Sequence, residues 1–155
     1  MKIKLKTIIL LFIYATLAMS CNKDDGDKLP QNTTVSEVKS IAQNGNWRIT
    51  YFYDSDHEET DHFNGYAFAF NADGALVANN GNTTVSGTWS VTDSNSNDDD
   101  GSTNDLDFNL FFASPPNFEE LSDDWDIISI SNSKIELIDV SGGNGGTDLL
   151  TFQRI

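Results

Sequence analysis

Cysteine occurs once in the chain, at Cys21, so no internal disulfide can brace a fold and any domain must be stable by burial alone. Basic residues are also scarce, with nine Lys and Arg against 24 Asp and Glu, a formal net charge of −15. Three of the nine, Lys2, Lys4 and Lys6, fall in the first twenty residues, which hold no acid; the remainder carries 6 minus 24, or −18. Nucleic-acid affinity comes mainly from Lys and Arg neutralising phosphates, so this balance argues against a nucleic-acid partner. It also disfavours lying flat on an anionic membrane, and it favours solubility and association with cations. No glycine-rich phosphate loop and no Gly-x-Ser-x-Gly elbow is present. Carboxylate pairs of the kind that hydrolyse glycosides are abundant only because the chain is acidic. A non-enzyme without a cofactor is the expectation.

The longest apolar run, residues 8–19, stops short of the roughly 20 residues that span a bilayer, which argues against a membrane-spanning anchor. A basic start, this run and the small residues ahead of Cys21 form the three parts of an export signal. Leu17-Ala18-Met19-Ser20-Cys21 resembles a bacterial lipoprotein signal, which implies a signal peptide over residues 1–20 and an acylated Cys21 as the first mature residue. Two or more acyl chains anchor stably, at about 0.8 kcal/mol per buried methylene, so the lipid bilayer would be a permanent partner. Lys23-Asp24-Asp25 resembles the short acidic signal that sends lipoproteins of Bacteroidota-type bacteria to the outer face of the outer membrane. Cell-surface display is expected, with periplasmic-facing attachment as the alternative. Residues 21–33 read as a flexible acidic tether, too polar to bury a core.

Residues 34–155 read as one domain, preceded by a helical signal. Thr34 and Glu37 have capping-box spacing, Val35, Val38 and Ile41 share a face, and Asn44-Gly45 supplies a stop. Everything beyond Gly45 alternates apolar and polar residues between turn signals. Eight strands follow, near residues 47–53, 66–70, 75–79, 83–92, 106–112, 125–130, 134–140 and 149–155, with one helical turn near 118–121. Eight short antiparallel strands joined by small turns predict an all-β, up-and-down barrel, since closure removes exposed edges; an open sandwich is the alternative.

Gly45-Asn46-Trp47, Phe70-Asn71-Ala72-Asp73-Gly74, Gly87-Thr88-Trp89-Ser90-Val91 and Leu150-Thr151-Phe152-Gln153-Arg154 together resemble the lipocalin-like domains of Bacteroidota lipoproteins, over residues 44–155. The resemblance implies a barrel closed at one end by Trp47 against Arg154, a cation–π pair that contributes about 0.5 to 2 kcal/mol. The expected inward residues are large: Trp47, Tyr51, Tyr66, Phe68, Phe70, Trp89, Phe108, Leu110, Trp125, Leu137 and Phe152. An eight-stranded barrel either fills with such side chains or holds one small ligand. A filled interior is the first expectation; a pocket, if formed, would open at a mouth rimmed by Tyr53, Phe63 and Phe112.

Two acidic stretches remain. Residues 98–105 place Asp98, Asp100 and Asp105 around Gly101 as oxygen donors for calcium, but the spacing fits an EF-hand loop poorly and a solvated hairpin loop is favoured. Residues 54–62 hold both histidines, His57 and His62, among Asp54, Asp56, Glu58, Glu59 and Asp61. They could ligate zinc, yet the segment reads first as a solvated loop. The expected function is a monomeric, non-catalytic module binding a small hydrophobic molecule or glycan. The alternative is a filled barrel that meets other envelope proteins through its loops.

Overall fold

The computed structural model describes residues 29, 30, 32–93, 106–140 and 146–155. Cys21, Lys23, Asp24 and Asp25, together with the calcium candidates Asp98, Asp100 and Asp105, lie outside the described residues.

The first helix, α1 (Val35–Ala42), begins where the sequence places it, because Thr34 and Glu37 close a reciprocal capping box. The Thr34 N–H donates to Glu37 Oε2 at 2.8 Å and the Glu37 N–H to Thr34 Oγ1 at 3.3 Å. Val38 and Ala42 are fully buried. Gly45, at φ +106°, turns the chain into the first strand, a conformation that an L side chain rarely adopts.

Nine strands follow: β1 (Trp47–Asp54), β2 (His57–Glu58), β3 (Ala67–Phe70), β4 (Ala75–Asn79), β5 (Thr84–Asp93), β6 (Leu106–Phe111), β7 (Asp124–Ile130), β8 (Lys134–Val140) and β9 (Thr147–Arg154). Every pairing is antiparallel, and β9 returns to β1, so β1 and β3 to β9 close an eight-stranded up-and-down barrel. The predicted fold class is the observed one. The addition is β2, a two-residue ribbon on β1 inside the acidic stretch expected to be loop. A 3-10 turn (Thr60–Phe63) and a short helix, α2 (Pro116–Glu119), complete the elements.

Closure is uneven. β1 and β9 pair from Trp47↔Arg154 to Tyr53↔Leu149, whereas β1 and β3 meet at the single bridge Trp47↔Phe68. Beyond that bridge the β1 backbone finds other partners: the Glu59 N–H donates to Phe52 O at 2.9 Å, and the Phe52 N–H donates to Thr60 Oγ1 at 2.9 Å. The 3-10 turn thus satisfies a stretch of strand that β3 leaves behind.

A bulge between Ile49 and Tyr51 corrects one expected orientation. The extra residue reverses the in-and-out parity of β1, so Phe52 enters the core at 1 % exposure while Tyr51 and Tyr53 stack on the outer face, 6.4 Å apart. Tyr66 lies just ahead of β3, half-buried against Phe118 rather than inside the barrel. The other expected inward residues are buried.

The interior is filled. Phe70 meets Trp89, Phe108 and Phe152 edge-on at centroid distances of 5.2, 5.4 and 5.5 Å, and Phe68 meets Phe152 at 5.4 Å. Each such fully buried ring contributes about 1.5–3 kcal/mol of transfer free energy, which replaces the disulfide that the chain lacks. Gly87 on β5 makes this possible: a Cβ there would stand 2.3 Å from Phe111 O and 2.7 Å from Phe112 Cδ1. Its missing side chain lets β6 and the Phe112 ring approach.

Antiparallel order sends alternate connections to opposite ends. The helix end carries α1, the 71–74 turn and the 131–133 turn. The connector end carries β2, the 3-10 turn, α2 and the approach to β9. Leu29, upstream of α1, donates its N–H to Ile128 O at 3.1 Å and packs against the core, so the chain engages the barrel before the capping box.

Candidate functional site

At the helix end, Arg154 faces Trp47, its guanidinium carbon 4.9 Å from the ring centroid. Trp47 Nε1 donates to Ala42 O at 2.8 Å and Arg154 Nη2 to Ile41 O at 3.2 Å. The first bond satisfies a carbonyl at the C-terminus of α1, and the second adds to Ile41 O, which also accepts the Asn44 N–H at 3.2 Å. The pair closes the barrel at this end, and two open grooves of about 450 and 490 Å³ flank α1 outside it.

The connector end is where the sequence places the mouth, and its composition differs from expectation. Tyr53 sits half-buried on the outer face, but Phe63 and Phe112 are each only 1 % exposed and belong to the core. They form a plug around Phe118 of α2, with Phe63–Phe118 at 5.4 Å and Phe112–Phe118 at 5.1 Å. The reason lies in the connectors: the 3-10 turn folds Phe63 inward and Pro116 starts a helix that folds Phe118 inward to meet it. Aromatics expected to rim an opening therefore close it.

Above the plug the surface is carboxylate and imidazole. Glu59 stands between β2 and the 3-10 turn, His62 within that turn, and Glu120 at the C-terminus of α2; one ligand-type atom of each lies within 4.8 Å of the others. Glu59 is the least exposed of the three, its side chain 14 % exposed, while His62 stands at 48 %. Its Oε1 receives His57 Nε2 at 2.6 Å, and the other ring nitrogen of His57 pairs with Asp56. Glu59 Oε2 is buried without a hydrogen bond and faces His62 Nδ1 at 3.4 Å, an ion pair when that imidazole is protonated. Contact with Glu120, then with His57, holds the Glu59 carboxyl below its usual range. Partial desolvation, then Glu59, pushes Glu120 up. Hydrogen bonding to Asp56, then to Glu59, raises His57, so its charged form is favoured.

A second group, Asp123, Asp139 and Asp148, gathers from the starts of β7 and β9 and the end of β8, again within 4.8 Å. Asp148 Oδ1 accepts the Ser55 N–H at 2.7 Å, tying the β1–β2 turn to β9. Burial, then Asp124, raises Asp123 to about 6. The sequence singled out residues 54–62 but neither Glu120 nor this triad. The signal available was topological: in an up-and-down barrel the β1–β3 and β6–β7 connections emerge at one end.

Beside the sparse β1–β3 join lies an open groove of about 390 Å³, lined by Arg48, Thr50, Thr60, Asn64, Tyr66 and Ile155 among others. Among the described residues no helix is long and apolar enough to cross a membrane.

No protein-family model, curated protein or solved structure matches this chain. By its fold the chain is a closed antiparallel β-barrel with a filled core.

Proposed function

We propose that this is a non-catalytic lipoprotein of the bacterial outer membrane, held by an acylated Cys21, whose solid barrel is a scaffold meeting other envelope proteins through its connectors and outer face. One observation carries the choice of scaffold over carrier: the ring cluster around Phe70 and the plug of Phe63, Phe112 and Phe118 occupy the volume an apolar ligand would need. The anchor and the surface address rest on the sequence features at Cys21 and Lys23-Asp24-Asp25. The barrel sits close to that anchor, because 29 minus 21 leaves eight residue steps before Leu29 docks, at most about 28 Å when fully extended.

Native mass spectrometry of the full chain, gently extracted in detergent, tests the choice. The expected spectrum shows the acylated protein without a stoichiometric small apolar ligand, and the protein leaves a panel of hydrophobic fluorescent probes dark. A co-purified apolar molecule would restore the carrier reading.

A second reading is favoured by the groove beside β1, where Arg48, Thr50, Thr60 and Asn64 offer hydrogen-bonding groups next to Tyr66. Polar donors and acceptors beside an aromatic ring suit a glycan better than an apolar molecule. Glycan-array binding that disappears in Tyr66→Ala would favour it.

A further inference from the structure

Glu59 Oε2, buried without a hydrogen bond and 3.4 Å from His62 Nδ1, is the feature that neither the seal nor the plug explains. A buried carboxylate oxygen without a hydrogen bond is costly unless something positive completes its surroundings. Two further ligand-type atoms, from His62 and Glu120, lie within 4.8 Å of it or of its partner oxygen. That spacing suits groups that share one ion with ligand bonds of about 2.0–2.2 Å.

We propose that Glu59, His62 and Glu120 bind a divalent transition-metal ion of the zinc class at the connector end of the barrel. The donor set selects the metal. One imidazole nitrogen with two carboxylate oxygens suits zinc, whereas calcium takes six to eight oxygen ligands and gains little from imidazole. Three protein ligands leave a fourth position for water or for a donor group from a partner.

The site stands on a rigid base. His62 precedes Phe63 and Glu120 follows Phe118 by two residues, and those two rings are buried and in edge contact at 5.4 Å. The two connectors that carry the ligands are thus locked to each other from beneath, which is what a metal site needs before the ion arrives. His57, bonded to Glu59 Oε1 at 2.6 Å, holds the far oxygen and leaves Oε2 for the ion. The apolar floor excludes water on one side, so attraction between the ion and its carboxylates is less screened than at an open surface.

The Asp123–Asp139–Asp148 group differs. It has carboxylates alone, Asp148 is already engaged by Ser55, and none of its side-chain oxygens is buried without a hydrogen bond.

Zinc titrated calorimetrically into the full chain, in detergent and stripped of metal by chelation, tests the proposal. One ion per chain is expected, with an affinity at least about tenfold tighter than that of His62→Ala or Glu120→Gln. Both substituted side chains are solvent-exposed, so the metal-free variants should keep the parent melting temperature, and a given zinc concentration should raise Tm less in either variant than in the parent. An Asp123→Asn/Asp148→Asn chain should bind zinc as the parent does. No uptake at millimolar zinc would overturn the site. So would equal affinity in His62→Ala and Glu120→Gln, or binding lost only with the aspartate pair.

Discussion

Arg154 and Trp47 are direct partners across the β1–β9 ladder, and the guanidinium carbon of Arg154 lies 4.9 Å from the centre of the Trp47 indole. Each also bonds the C-terminal turn of α1, so the pair joins the helix, the first strand and the last strand. Arg154→Ala should cost about 1–2 kcal/mol through the lost cation–π contact and the bond to Ile41 O, read by denaturant titration. Tryptophan emission should shift with it. An unchanged midpoint and spectrum would remove the pair from the stabilising contacts.

Gly87→Ala should destabilise by about 2–3 kcal/mol, because the added carbon meets backbone and ring at once and β6 must move. A chain that melts within a degree of the parent would mean that β5 and β6 separate more easily than their ladder implies.

Phe112→Ala should cost about 3–5 kcal/mol and leave a cavity beneath the connector end. Hydrophobic probes that leave the parent dark should light up with the variant. If they stay dark and stability is kept, the plug is not what fills this end.

Asp123 makes stability depend on pH. Its folded value of about 6 lies above the ordinary carboxylate value, 3.8, so the folded state holds the proton more tightly than the unfolded state does. The resulting stabilisation is complete below about pH 4 and is lost as pH rises through 6. Asp123→Asn should therefore raise Tm at pH 8, by about 4 °C for roughly 1 kcal/mol after allowing for solvent screening, and change little at pH 4. An increase confined to low pH would contradict this sign.

The strands were legible because alternation is local. Trp47-Arg48-Ile49 and Tyr66 to Phe70 state their periodicity within a few residues, and the turns between strands carry their own chemistry at Asp73-Gly74 and Asn80-Gly81. Where a bulge inserts one residue the same rule misleads, and it assigns Tyr51 to the interior that Phe52 occupies. The connector end was less legible. Phe63 lies in a 3-10 turn and Phe118 in a one-turn helix, each too short to show a period that marks it as buried, and Glu59 meets Glu120 only because two connections 61 residues apart (120 minus 59) emerge together.

The single bridge between β1 and β3 gives the barrel a mechanical grain. A hoop whose other joints carry several rungs and one joint a single rung does not loosen evenly. Under mild denaturant the molecule should part there first, unrolling into a curved ribbon with β1 still fastened to β9. Amides in β4, β5, β8 and β9 should then exchange with solvent hydrogen later than those of β3 and the 3-10 turn, and stability measured on the whole chain would understate how readily this one join breathes.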